Sequence, residues 1–219
     1  MLDSRRNIAL ACALSALAGY VDGIGFIHLG GLFVSFMSGN STRMGVSLAD
    51  GHWRSAAEAF GLIVLFVIGA AAGSLIVLGR HVHRQSLVLL AEALLLAAAA
   101  LCYALGFSNA AVAAIVMAMG MENVVFQIEG GAGLGLTYVT GALVKVGQFA
   151  AVALSGGPRW GWTSNALLWV ALVVGSVCGA LAYHWINLAA IWFAAAAALA
   201  LSAMVAATRQ LDSLNRKIN

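Results

Sequence analysis

This sequence predicts an all-α polytopic membrane protein. Three observations carry that reading. Of its 219 residues, 63% are hydrophobic and 9% charged, against about 25% charged in an ordinary soluble domain. One proline stands among abundant alanine, leucine and glycine, which suits helices. The apolar runs are continuous, whereas the strands of a transmembrane barrel alternate polar and apolar residues.

Eight apolar stretches follow in order: 8–26, 33–49, 56–79, 87–107, 109–127, 134–155, 165–183 and 188–208. Four precede the centre and four follow it, at an offset near 100. A single membrane domain, 1–219, is therefore expected. Its first repeat covers 7–107, its second 108–208, and 209–219 forms a cytoplasmic tail. In the first element, Arg5 and Arg6 precede an apolar run, and Ala16-Leu17-Ala18 resembles a cleavage site. The repeat argues for a retained helix, because removal would leave one half without its first element. The third elements share a small-xxx-small pattern, Gly69–Gly73 and Gly175–Gly179, which lets helices approach closely in lipid. Cys12, Cys102 and Cys178 lie scattered in apolar runs and read as packing residues.

The second element of each half carries the unusual residues. Gly30-Gly31-Leu32-Phe33-Val34-Ser35-Phe36-Met37-Ser38-Gly39-Asn40-Ser41-Thr42-Arg43-Met44-Gly45 has a counterpart that runs from Gly130 through Thr137, Tyr138, Thr140, Gly141 and Lys145 to Gly147. Ser38-Gly39 matches Thr140-Gly141, Arg43 matches Lys145, and Gly45 matches Gly147. A cation and a helix-breaking glycine are costly in lipid and need a reason.

Charge sets the expected topology. If all eight elements cross with the N-terminus inside, Arg80-His81-Val82-His83-Arg84 falls outside, against the positive-inside rule. If the two motif elements enter and return on one side, six helices span. Arg5/Arg6, Arg80/Arg84, Arg159 and the tail with Arg209, Arg216 and Lys217 then all lie inside. Each half crosses three times, so the two halves are inverted, a design common in transporters. A half-helix of about ten residues reaches about 15 Å, half of a core about 30 Å thick. Eight spans in a parallel repeat remain the alternative, since 134–155 is long enough to cross.

On a helix, Ser35, Ser38 and Thr42 share one face, with Gly39 and Arg43 on an adjoining one. Gln148 lies one turn beyond Lys145. Hydroxyls can replace water around a solute. A fixed cation at a half-helix N-terminus favours an anion or carboxylate. Asp22 and Glu122 precede the two motifs at equivalent places and are expected to pair with the cations or to couple protons, since a buried, unpaired carboxylate holds its proton tightly. Asn123 and Gln127 add polar groups, while Glu129 is expected in solvent. The structural reading of Arg43 and Lys145 is that they pair with buried acids and hold the halves together.

Other patterns carry less. His81 and His83 are too few for a metal site. Gly130–Gly135 lacks the strand–helix setting and lysine–hydroxyl ending of a phosphate loop. Trp160, Trp162, Trp185 and Trp192 read as aromatic belts. No catalytic constellation or cofactor motif is found, so neither an enzyme nor a cofactor is expected. The clustered cations at segment ends suit lipid headgroups rather than nucleic acid.

Gly19-Tyr20-Val21-Asp22 with Gly30–Thr42 closely resembles the YoaK-like family of bacterial inner-membrane proteins of unknown function. Gly120-Met121-Glu122-Asn123 followed by Leu136-Thr137-Tyr138-Val139-Thr140-Gly141 is similar to the same family. The resemblance covers nearly the whole chain. It implies a six-helix protein of the bacterial inner membrane and supplies no substrate. Glu122 departs from the pattern, where relatives often carry an amide.

The expectation is thus a small secondary transporter or channel for an anionic or carboxylated solute, with both termini cytoplasmic. Its midplane site would use Ser38, Gly39, Asn40, Thr42, Arg43, Thr140, Gly141 and Lys145. Asp22, Glu122 and Asn123 would balance charge or couple protons. Its partners would be the solute, membrane lipids and, through glycine-rich faces, a second copy. A non-transporting scaffold or sensor subunit, with the polar motifs as interhelical glue, is the competing expectation.

Overall fold

A computed structural model describes residues 5–79, 84–125 and 139–218. Among these residues the fold is all-helical: α1 (Arg5–His28), α2 (Met37–Ala49), α3 (Trp53–Leu78), α4 (Arg84–Ala104), α5 (Ser108–Glu122), α6 (Val139–Leu154), α7 (Thr163–Ile186) and α8 (Ile191–Ile218), with a 3-10 turn at Asn187–Ala190. Each expected apolar stretch contains a helix. Arg80–His83, Gln127, Glu129, the Gly130–Gly135 run, Thr137 and Tyr138 lie outside the described residues.

Four apolar helical stretches are long enough to cross a membrane: Asn7–His28, Trp53–Leu78, Arg84–Ala104 and Thr163–Thr208. The last is 46 residues long. It breaks at Asn187, whose φ of 54° lies outside the helical region, so α7, at 24 residues, and the apolar part of α8, 191–208, are each long enough to cross. α5 and α6 are apolar but shorter, at 15 and 16 residues.

Lipid tails are as apolar as leucine, so helices associate here through close packing. Two pairs do so in one register. A Cβ at Gly175 or Gly179 would collide with the Ala16 or Tyr20 carbonyl. Likewise a Cβ at Gly69 would strike the Met117 carbonyl, and one at Gly73 would strike Met121. In both pairs the residue numbers rise together, so α1 runs parallel to α7 and α3 parallel to α5. Gly19 against Leu172 and Gly120 against Phe66 complete the correspondence.

α4 and α8 form the other main contact, through Ser202 Oγ donating to the Ser86 carbonyl at 2.8 Å. The turn before α8 also packs on α4. α8 therefore runs antiparallel to α4. The core lies between α1, α4, α5 and α8, where Leu14, Ile24, Leu89, Ile115, Met119 and Ile191 are fully buried. α3 and α7 turn residues such as Phe60, Val67, Leu75, Leu167, Val174 and Leu181 outward, as a lipid-facing surface does.

His28 gathers several helix ends. Its Nδ1 lies 3.1 Å from the Tyr183 hydroxyl and its Nε2 3.2 Å from Ser108 Oγ, with the Tyr103 ring edge-on. The ends of α1, α4 and α7 and the start of α5 thus meet at one end of the bundle. Tyr20 adds a bond from its hydroxyl to the Ala190 carbonyl at 3.0 Å.

Candidate functional site

The connection from α1 to α2 folds back along α1. Gly30 and Gly31 have φ of 61° and 98°, a turn that L side chains rarely adopt. Beyond it, the Val34 and Ser35 amides each donate to Asp22 Oδ1 at 2.8 Å. Ser35 Oγ donates to Asp22 Oδ2 in a short hydrogen bond. Asp22 lies about 9 Å before the end of α1, at 1.5 Å per residue. The chain therefore descends that far before α2 begins. There the carboxylate meets the amides that precede the helix, the arrangement helix N-termini favour for anions.

Two motif residues hold this fold-back. Asn40 is fully buried. Its Oδ1 accepts from the Phe33 amide at 2.9 Å and its Nδ2 donates to the Phe33 carbonyl at 2.7 Å. Arg43 Nη1 donates to the Gly31 carbonyl at 2.8 Å. Phe33 packs between Phe26 and Phe36, with ring centroids 4.9 and 5.2 Å away. Gly39 sits under the Phe33 and Phe36 rings, where a Cβ would not fit.

A cavity of about 280 Å³ opens where the two motif elements approach each other. Its polar lining is Asp22, Ser35, Thr140 and Ser176; Leu143 and Leu172 are among its apolar walls. Its volume is at the lower end of the ~300–1,000 Å³ range of small-molecule sites. Ser35 and Ser176 already donate, the latter to the Leu172 carbonyl at 3.0 Å. What the cavity presents is thus a carboxylate and hydroxyl oxygens. A larger cavity of about 510 Å³ lies between α1, α7 and α8, lined almost wholly by apolar residues such as Ala16, Leu17 and Phe193. Apart from Tyr20 and Cys178 its walls are apolar, which suits an acyl chain better than a polar solute.

The expected site residues separate. Thr140 reaches the cavity. Ser38, Thr42 and Arg43 lie on the exposed side of α2, with Thr42 Oγ1 bonded to the Ser38 carbonyl at 3.1 Å. Gly141 faces open space, and Lys145 is exposed on α6. The expected pairing of Asp22 and Glu122 with the cations is corrected: Asp22 binds backbone amides, Arg43 a carbonyl, and Glu122 has no hydrogen-bond partner among the described residues. Among the described residues, Arg54 pairs with Glu58 at 3.1 Å on the surface. The expected equivalence of Asp22 and Glu122 is corrected as well. The shared helix register aligns Asp22 with Asn123, and Glu122 with Val21. Asn123 Nδ2 donates to the Met119 carbonyl at 2.9 Å.

Sequence reasoning missed Ser176, His28 and Glu92. Glu92 sits in the middle of α4, fully buried. Its signal was its isolation: it is the lone acid of that apolar helix.

Residues 10–204 match the family described as "Protein of unknown function (DUF1275)". A UPF0700 transmembrane protein of Rhizobium meliloti (strain 1021) is 38% identical over 198 residues, which cover 90% of this chain and 85% of that protein. No solved structure matches the chain. The chain belongs to the DUF1275 family of membrane proteins, in agreement with the YoaK-like resemblance.

Proposed function

We propose that this protein is a small-solute transporter or channel built of two inverted halves, with its solute site in the cavity at Asp22. The observation that carries the reading is that cavity. It lies at the junction of the two repeated motifs and combines a carboxylate with hydroxyls inside a membrane-grade bundle. Polar groups at such depth usually mark a solute path. The solute is small and either cationic or neutral and polar. Arg43 and Lys145, which motivated an anion, stand away from the cavity, and Asp22 already occupies the amides before α2.

The inverted topology draws support from the helix ends. α1 and α4 finish together beside His28, whereas eight alternating spans would end them on opposite faces. With α3 crossing, the chain between α1 and α3 must start and finish on one face. Descent to Asp22 followed by α2, about 20 Å long, fits a re-entrant element. In this reading the second motif enters from the cytoplasmic face, and both termini lie in the cytoplasm of a bacterial inner membrane. Gly45, Gly141 and Gly147 face open space, which suits contact with a second copy.

The test is flux in sealed proteoliposomes with small cations and neutral polar solutes. Asp22→Asn and Thr140→Val should reduce flux at least tenfold without loss of folded protein. Uptake no faster than in empty vesicles across the panel would refute transport. That result would favour the scaffold reading, for which Asn40 and Arg43 already speak by serving the chain's own backbone. Cysteines at Gly51 and Pro158 should label from opposite faces, and same-side labelling would refute the inversion.

A further inference from the structure

We infer that Glu92 and Glu122 form a proton-binding pair in the core of the bundle. The two acids lie on helices that pack against each other and are joined by the short turn after Ala104. Glu92 is about 18 Å before the end of α4 and Glu122 about 21 Å past the start of α5. The hairpin thus sets them nearly level, deep in the membrane. Their relative exposures are 0% and 1%. Among the described residues, none of the four carboxyl oxygens has a hydrogen-bond partner.

Two ionised, unpaired carboxylates in an apolar core are strongly disfavoured by their lost hydration, and their mutual repulsion adds to it. A positive ligand must neutralise them. The surroundings choose a proton over a metal ion. A divalent cation such as calcium or magnesium takes about six or more oxygen ligands, whereas among the described residues no third carboxylate, histidine or cysteine joins the pair in a group that could hold a metal ion. A proton needs one oxygen, and its second neighbour can be the facing carboxylate. Glu122 feels Glu92 first and Asp22 second among charged groups. The spanning parts of α3 and α8, 59–78 and 191–208, contain no charged residue. Arg84 stands at the start of α4, about 12 Å along the helix from Glu92.

The proton would arrive from the cavity side, where Asp22 is the next acid, and leave toward the opposite face. Binding one proton leaves the pair with a single shared negative charge, and a second makes it neutral. The coupling role rests on the transport reading; proton binding by itself does not.

Infrared difference spectroscopy on the purified full chain in lipid tests the site. At neutral pH a protonated-carboxyl band that shifts in D₂O is expected. E92Q and E122Q should each diminish it, and the double variant should remove it, with elution and thermal denaturation unchanged. A wild-type spectrum without that band, or a band the double variant retains, overturns the inference. Loss of the band on adding NaCl, KCl or MgCl₂ overturns it too, since a metal ion would then displace the proton. If a glutamine variant fails to fold, the wild-type band and its response to salt still decide. Persistence of the band in protein that moves no solute would sink transport and leave the proton site standing.

Discussion

Removing the Asp22 carboxylate should release the α1–α2 fold-back. In Asp22→Ala, the Val34 and Ser35 amides lose their common acceptor and Ser35 Oγ loses its own. A buried donor left unsatisfied costs about 1–3 kcal/mol, so two amides cost about 2–6 kcal/mol. Asp22 borders a cavity, and water entering there offsets part of that loss; about 2–4 kcal/mol is the working expectation. For a chain of this size, about 2–4 °C per kcal/mol gives a fall of about 4–16 °C in thermal denaturation. Asp22→Asn keeps an acceptor for both amides and lets Ser35 Oγ accept, and it forfeits the charge-assisted part, about 1–2 kcal/mol. Val34→Cys supplies a local readout, because Val34 is 1% exposed and packs against Gly25. Its labelling by a membrane-permeant reagent should be slow with Asp22 present and at least tenfold faster in the alanine variant. An Asp22→Ala protein with unchanged denaturation and a protected Val34→Cys thiol would refute the claim that this carboxylate holds the loop.

Other substitutions separate packing from motif chemistry. Gly175→Leu forces a side chain against the Ala16 carbonyl and should cost about 1–3 kcal/mol or more, seen as loss of monodisperse protein. Gly45→Ala and Gly141→Ala meet open space; stability should hold or rise by up to about 1 kcal/mol, and a fall in denaturation temperature would contradict the open faces. Arg43→Ala should destabilise by about 1–2 kcal/mol through the lost bond to Gly31, while Lys145→Ala on exposed α6 should stay within about 0.5 kcal/mol; equal effects would return both cations to one shared role. His28→Ala removes two contacts between helix ends and should cost about 1–2 kcal/mol, with Ser108→Ala additive to less than the sum if both act through one network.

How much of this was legible in the sequence depends on whether a residue's partner has a sequence signature. Fold class and element order were readable because the solvent is lipid and every spanning segment must be apolar and helical. Gly69, Gly73, Gly175 and Gly179 announced close packing, since small residues at helical spacing have few other uses in lipid. The motif residues were conspicuous, yet their roles were hidden. Asp22, Asn40 and Arg43 bind backbone groups at Val34, Phe33 and Gly31. Any residue supplies a backbone amide or carbonyl, so only the turn at Gly30 and Gly31 decides which one comes within reach.

The repeat hid a different residue. Matching one half to the other highlights what occurs twice, so the hydroxyl–glycine–cation motif dominated and Glu92, which occurs once, received no weight. The same habit paired Glu122 with Asp22, although the glycine register pairs Asp22 with Asn123. Glu92 and Glu122 are acids without counterparts, buried in the core with no hydrogen-bond partner among the described residues. In a bundle whose other buried side-chain polar atoms, among the described residues, have partners, those two acids are the strongest chemical signal in the fold.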